Sequence, residues 1–258
     1  MKKIILLDMD GTITPPRKPI QIDMIQKLDE ILSHDIHLGV VTGSNLEYMQ
    51  EQLNSWEKFK LAHRNIHSFP CNGLEYWRNC KCVYRKNMKD EYTGSEWNWL
   101  IHDIHSADKR MRLSLGGKDI RVPEKIIQER GSMINWCPIG RDANDKDRAK
   151  FIEIDKKHKL RENFLNQMKT RPLFTKKTVI KLGGETSFDI FPSGWDKSYA
   201  FKNFENFDSI YFIGDRCGPM GNDFEGYRAA AELGFETTGP TRTIAILSEI
   251  LSGATSNN

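Results

Sequence analysis

A chain of 258 residues is long enough for one large α/β domain, or for a core domain carrying a smaller insert, and either buries an ample core. Lys+Arg 38 against Asp+Glu 35 leaves a net charge of +3, too weak a field to point to nucleic acid or an anionic membrane, whereas a small anionic substrate needs only a local basic cluster. No run of about 18 apolar residues occurs, and Met1-Lys2-Lys3 leads almost directly into a charged motif; with neither membrane span nor signal peptide expected, the protein reads as soluble and cytoplasmic.

Ile4-Ile5-Leu6-Leu7 predicts a parallel strand buried on both faces. Asp8-Met9-Asp10-Gly11-Thr12 ends it, so two carboxylates fall at the carboxyl end of a strand, where α/β sheets place their chemistry. Gly11 and Thr12 open a loop that can wrap an anion with backbone N–H groups. Ile22, Ile25, Leu28, Ile31 and Leu32 recur at helical spacing and predict a helix ending near His34. Leu38 to Val41 reads as the next strand, Thr42-Gly43-Ser44-Asn45 ends it, and Leu46 to Leu53 begins a helix with Ser44 or Asn45 as N-cap. This alternation implies a parallel sheet with right-handed crossovers.

From Leu74 the texture changes. Leu74 to Trp77 and Val83 to Arg85, around a polar turn at Asn79, look like an antiparallel hairpin. A helix with Trp97, Leu100, Ile101 and Ile104 on one face follows, then strands over 125–130 and 133–136, helices over 145–158 and 160–168, and a strand over 179–182. The simplest account is an α+β cap inserted over 83–186, with a core formed by 1–82 and 187–258. The five cysteines, Cys71, Cys80, Cys82, Cys137 and Cys217, are odd in number and lack a Cys-x-x-Cys pair, so reduced thiols are expected. His102 and His105, with no third ligand in sight, read as a solvated helix face.

The parallel texture returns at Ser209 to Asp215, a second apolar strand ending in an aspartate. Asp8, Asp10 and Asp215 could converge on a hard divalent cation, because oxygen-rich sites with few carboxylates suit Mg²⁺. A phosphate dianion approaches an aspartate nucleophile only when positive charge screens the two; Lys197, at an apparent helix start, is the natural lysine for that purpose. The last helix is read over 244–251 with Thr241 as N-cap, and 252–258 as a disordered tail.

In order and spacing, Asp8-x-Asp10-Gly11-Thr12, the strand ending in Thr42-Gly43-Ser44, Lys197, and Gly214-Asp215 through Gly221-Asn222-Asp223 resemble the four motifs of the haloacid dehalogenase superfamily. The stretches 69–74, 130–141 with Arg148, 183–197 and 214–225 look like signatures of the eukaryotic-type phosphomannomutases within it. The resemblance implies a Rossmannoid parallel-sheet core with an α+β cap. It implies that Asp8 is the nucleophile forming an aspartyl-phosphate, that Asp10 is the general acid/base, and that Mg²⁺ is held by Asp8, the backbone carbonyl of Asp10, and Asp215. It further implies a phosphohexose mutase (an isomerase) that interconverts mannose 6-phosphate and mannose 1-phosphate through a hexose 1,6-bisphosphate, in GDP-mannose biosynthesis, as a homodimer through the cap.

Arginine forks are the side chains that bind phosphate bidentately, so Arg130, Arg141 and Arg148 are expected at the distal phosphate. Arg17 matches the core arginine at the substrate, Asn135 falls in a cap signature, and Ser187 and Asp189 match residues that bind the sugar or its phosphate. One departure matters for chemistry: Thr42 stands where this family often has glycine, and phosphatases of the superfamily usually place Ser or Thr there. Thr42 and Ser44 are therefore both candidates for the transferring phosphoryl group. A sugar-phosphate phosphatase is the alternative activity, and a catalytically silent sugar-phosphate binding protein is the alternative outside enzymes.

Overall fold

The computed structural model describes residues 1–115, 125–140, 142–219 and 221–253. In chain order they form β1 (Lys3–Asp8), α1 (Ile22–Ser33), β2 (His37–Val41), α2 (Leu46–Gln52), α3 (Glu57–Lys60), β3 (Ile66–Phe69), β4 (Glu75–Arg78) and β5 (Lys81–Arg85). Next come α4 (Gly94–Ser114), β6 (Ile127–Glu129), β7 (Ile134–Trp136), α5 (Asp145–His158), α6 (Leu160–Lys169), α7 (Pro172–Lys176), β8 (Thr178–Gly183) and β9 (Ser187–Pro192). The last elements are β10 (Ser209–Gly214), α8 (Phe224–Ala230), β11 (Gly234–Glu236) and α9 (Pro240–Ser252).

Two compact units result, Met1–Arg85 with Gly194–Asn258, and Lys86–Ser193. Their boundaries differ from the 82/83 and 186/187 read from the sequence. β5 runs to Arg85 and pairs with β4 in the first unit's sheet, while β9 pairs with β7 and β8 in the second's. A change in composition marks where the texture shifts; strand pairing, which is non-local, decides which sheet a strand joins.

In the first unit the strand order is β11-β10-β1-β2-β3-β4-β5, parallel from β11 to β3 and antiparallel through the hairpin β4–β5. β1 lies inside the sheet, and its alternating side chains feed two cores. Ile5 and Leu7 pack with Met24, Leu28 and Ile31 of α1 and Ile246, Leu247 and Ile250 of α9. Ile4 and Leu6 pack on the other face with Phe69, Ala200, Phe204 and Phe212. Burial on both faces is why this strand reads as an unbroken aliphatic run, and it leaves the strand's carboxyl end as the place where polar groups emerge.

The second unit builds an antiparallel sheet in the order β6-β7-β9-β8. Ile134 and Trp136 pair with Ile190 and Phe188, and Trp136 stacks on Phe188 with ring centroids 4.3 Å apart. The intervening residues, Asn135 opposite Asp189 and Lys181 opposite Asp189, share the other face. α4 opens with a capping box between Thr93 and Glu96.

Several elements are not anticipated by periodicity. β3, β9 and β11 are too short, or too mixed in polarity, to stand out, and α3, α7 and α8 span two turns or fewer. α9 starts earlier than expected: Gly239 is its N-cap, Pro240 occupies the first helical position, and Thr241 lies inside the first turn. His102 and His105 are exposed on α4. Residues 254–258 of the expected disordered tail lie outside the described residues. Among the described residues no helix is long and apolar enough to cross a membrane.

Candidate active site

β1 and β10 are parallel neighbours in register, Leu7 opposite Ile213, so Asp8 at the end of one and Asp215 just beyond the other emerge at the same edge of the sheet. Asp223, directly before α8, completes a group of three carboxylates whose oxygens lie within 4.8 Å of one another. The sequence marks Asp223 within its motif but assigns it no role. The structure shows it fully buried, with Oδ1 2.5 Å from Lys197 Nζ and Oδ2 accepting the backbone N–H groups of Asp215 (3.1 Å) and Arg216 (3.0 Å). It thereby fixes both the lysine and the loop that carries Asp215.

Lys197 is fully buried at the start of the 3₁₀ turn Lys197–Asn203, whose N-cap Asp196 accepts the N–H of Ser198. Its ammonium donates to Asp8 Oδ1 as well as to Asp223. Burial opposes the charge on Lys197, but the two carboxylates outweigh it and hold the ammonium protonated above the ordinary lysine value. Asp8 Oδ2 accepts the Thr12 hydroxyl at 3.3 Å. Burial pushes the Asp8 carboxyl up to about 7; Lys197 pulls it down, and Asp223 and Asp215 raise it further. Asp215 is raised too, first by burial and then by Asp223. The cluster therefore holds more negative charge than one lysine neutralises.

Close approach makes Gly11 specific to this geometry. Its φ is +86°, and a Cβ there would stand 2.4 Å from Asp215 Oδ2. Gly11→Ala is expected to cost about 2 kcal/mol from the left-handed backbone alone, lowering Tm by roughly 4–8 °C in a chain of this size. Gly94→Ala, with nothing among the described residues within 4 Å of the added Cβ, is the control that should leave Tm in place. Equal melting of the two variants would contradict this account.

Asp10 does not join the three carboxylates, although the sequence groups it with Asp8 and Asp215 as a metal residue. Its Oδ1 accepts the backbone N–H of Arg17 at 2.8 Å and the hydroxyl of Tyr48 at 3.1 Å. Arg17 reaches this position in the left-handed region, at φ 59°, and its exposed guanidinium forms no ion pair among the described residues. Tyr48, which sequence reasoning passes over as an ordinary helix residue, sits in the first turn of α2. Asn45 is the N-cap of that helix, its Oδ1 accepting the Tyr48 N–H at 3.1 Å. Burial first, then the Asp10 charge, push the Tyr48 phenol up to about 12, so it keeps its proton and acts as a donor.

Thr42 follows Val41, which pairs with Asp8 across β1 and β2, and so belongs to the same sheet edge. It is buried, and its Oγ1 accepts the Ser44 N–H at 3.1 Å. The turn at Cys71-Asn72 clamps this loop, with the Asn72 N–H donating to the Thr42 carbonyl and the Cys71 N–H to the Ser44 carbonyl, both at 2.8 Å.

In the second unit Asn135, Ser187 and Asp189 come together. Asn135 Nδ2 donates to Asp189 Oδ1 at 2.7 Å and to Ser187 Oγ at 3.1 Å, while its Oδ1 is buried without a partner among the described residues. An unpartnered buried acceptor is costly, and a ligand hydroxyl is the kind of group that relieves it. Arg161, which the sequence does not single out, is paired with Asp155 and donates to the carbonyls of Gly184 and Ser187, fixing the β8–β9 turn. Arg130 donates from Nε and Nη2 to Gln128 Oε1 at 3.1 and 2.9 Å. Arg148, half-buried on α5, forms no ion pair among the described residues, whereas Arg141 lies outside them.

A family model described as eukaryotic phosphomannomutase matches residues 24–253. A phosphomannomutase of Nicotiana benthamiana is 32% identical over 257 residues, spanning 97% of this chain and 94% of that protein. One of Drosophila melanogaster is 33% identical over 258 residues, spanning 96% and 95%. Among solved structures, a haloacid dehalogenase-like hydrolase from Bacteroides thetaiotaomicron matches with a TM-score of 0.58 at 15% identity, over 97% of this chain and all of that one. That likeness bears on fold: the parallel-sheet core is of the haloacid dehalogenase type.

Proposed function

This chain belongs to the eukaryotic phosphomannomutase family, and from that premise we propose that it interconverts mannose 6-phosphate and mannose 1-phosphate, with Asp8 as the phosphoryl carrier. The observation that carries the residue assignment is the buried contact of Asp8 with Lys197 at the edge where Asp215 and Asp223 converge.

The donor set fits Mg²⁺: three carboxylates offer hard oxygen ligands within 4.8 Å, and two of them are held above the usual carboxylate range, first by burial and then by neighbouring carboxylate charge that a dication would relieve. Asp8 and Asp215 would hold the ion with the backbone of Asp10, and the ion would supply charge screening for the phosphate. The chain's own groups then carry the chemistry. Lys197 and Thr12 orient Asp8. An Asp8 oxygen bonds to phosphorus as the bond from phosphorus to the sugar oxygen breaks, and Asp10 gives that oxygen a proton. In the reverse direction Asp10 takes the proton from a sugar hydroxyl that attacks the phosphorylated Asp8, and exchange of the two sugar positions between half-reactions completes the isomerisation. Arg17 contacts the substrate. Arg130, Arg141 and Arg148, with Asn135, Ser187 and Asp189, bind the sugar and the phosphate that is not reacting.

Thr42 favours hydrolysis as a second reading, since a buried hydroxyl ends the strand beside Asp8. Both activities are read in one assay: mannose 1-phosphate is supplied with Mg²⁺, with and without a hexose 1,6-bisphosphate, while mannose 6-phosphate and free phosphate are followed together. Isomerisation stimulated by the bisphosphate, and faster than phosphate release, is expected. Phosphate release outpacing isomerisation, and suppressed in Thr42→Gly, would replace the mutase reading with the phosphatase one.

A further inference from the structure

Two donors from separate parts of the first unit converge on one oxygen of Asp10. The Arg17 N–H comes from the loop after β1, and the Tyr48 hydroxyl from α2, a helix that begins directly after the Thr42-Gly43-Ser44 loop. Both meet Oδ1, and Oδ2 makes no hydrogen bond among the described residues. This division suits a proton-transfer group, because one oxygen anchors the carboxyl while the other stays open to the reacting atom.

We infer that Tyr48 is a positioning residue for the acid/base group, pinning Oδ1 of Asp10 so that Oδ2 meets the sugar oxygen. The inference rests on the role given to Asp10 above. With the Arg17 amide as sole donor, the carboxyl can rotate about its Cβ–Cγ bond; a second donor from a different element fixes its plane. Tyr48 can impose that plane because its own backbone is held by the Asn45 cap and its side chain is partly buried against the apolar core on the α1 and α9 face of the sheet. The phenol thus ties the orientation of Asp10 to the loop that carries Thr42 and Ser44, joining the phosphoryl end of the site to its proton-transfer end.

Leaving-group dependence separates positioning from mere support of the loop. Transfer of phosphate from a hexose to Asp8 breaks a bond to an alkoxide oxygen, which must gain a proton from Asp10 as the electron pair moves onto it. Transfer from p-nitrophenyl phosphate releases a stable phenolate that needs no proton. The full chain with Mg²⁺ is mixed with hexose 1,6-bisphosphate or with p-nitrophenyl phosphate, and the first turnover is followed as phosphorylation of Asp8 or as the p-nitrophenol burst. Tyr48→Phe is expected to slow the hexose reaction about 10- to 100-fold, the worth of one hydrogen bond to a charged group, and to change the aryl burst by less than about threefold. Tyr48→Lys, a donor of similar reach, should recover most of the loss. Equal slowing of both reactions would reduce Tyr48 to a support for the loop, and no slowing of either would remove it from the site; each result overturns the inference. A wild-type chain that is phosphorylated on Asp8 yet does not isomerise mannose 1-phosphate would strike the mutase reading alone, since the comparison of the two first turnovers stands without it.

Discussion

Asp8→Asn is expected to lower turnover of hexose phosphates by about 10⁴-fold or more while the chain still folds. The Asp8 oxygen is the only proposed acceptor of the phosphoryl group, and an amide in its place keeps the shape but not the nucleophile. Turnover within tenfold of wild type would remove both the mutase and the phosphatase readings. The same substitution carries a pH signature. Burial holds the folded-state pKa of Asp8 at about 7, well above the unfolded carboxylate value. A raised pKa contributes stability that is present below the unfolded value and is lost as pH rises through about 7. In buffer free of divalent cations, the wild type should therefore lose stability relative to Asp8→Asn as pH goes from about 4 to about 7. The comparison is made between the two proteins because His67, lowered to about 3 by burial and by Arg78 and His37, titrates in an overlapping range with the opposite sense. Present in both proteins, His67 cancels. A difference in Tm that stays flat over this range would contradict the account of Asp8.

Lys197→Met should destabilise the chain by about 3–5 kcal/mol, the usual cost of leaving buried charges without their partner, and lower Tm by roughly 6–20 °C. Methionine is unbranched and close to lysine in volume, one heavy atom shorter, so packing is nearly conserved and the effect reads out charge. Without the ammonium, Asp8 and Asp223 face each other and Asp215 within 4.8 Å, and the Arg216 guanidinium, 3.8 Å from Asp215 and largely exposed to solvent, offsets little of their charge. The deficit should shrink at low pH, where the carboxylates take up protons, and on addition of Mg²⁺. An exposed pair such as Arg242 with Glu249, 2.9 Å apart with both side chains nearly half exposed, makes the contrast: Arg242→Ala should stay within about 1 kcal/mol. Calorimetry on both variants, with and without Mg²⁺, decides it. A Lys197→Met protein that melts with the wild type would show that the buried lysine is not needed to offset these carboxylates.

Local periodicity is enough to read α1, α2, α5 and α6, because each writes its buried stripe into neighbouring residues. The aliphatic run at β1 and the matching run at β10 announce strands covered on both faces, and the aspartates that end them mark one edge of the sheet. The motifs likewise single out Lys197 and Thr42 without contact information. β9 is different. Ser187-Phe188-Asp189-Ile190-Phe191 is too short and mixed in polarity to stand out as a strand, and nothing local says that it pairs with β7 and β8 rather than with the core sheet. Tyr48 shows the same limit, since its position in α2 follows from the helical pattern but its aim at Asp10, 38 residues earlier, does not.

What the sequence determined by itself was the chemistry on offer: two apolar strands that had to be buried, each delivering an aspartate to a carboxyl end, and a set of residue types suited to phosphate. Tertiary structure alone decided how those groups meet. Lys197 reaches Asp8 across 189 residues of chain and is shared with Asp223; Asp10 stays outside the group of three carboxylates, its Oδ1 bound by Tyr48 and Arg17. The reason is physical. Burial of apolar runs is specified by near neighbours, whereas the balance of one ammonium against three carboxylates depends on distances that exist only once remote segments are packed together.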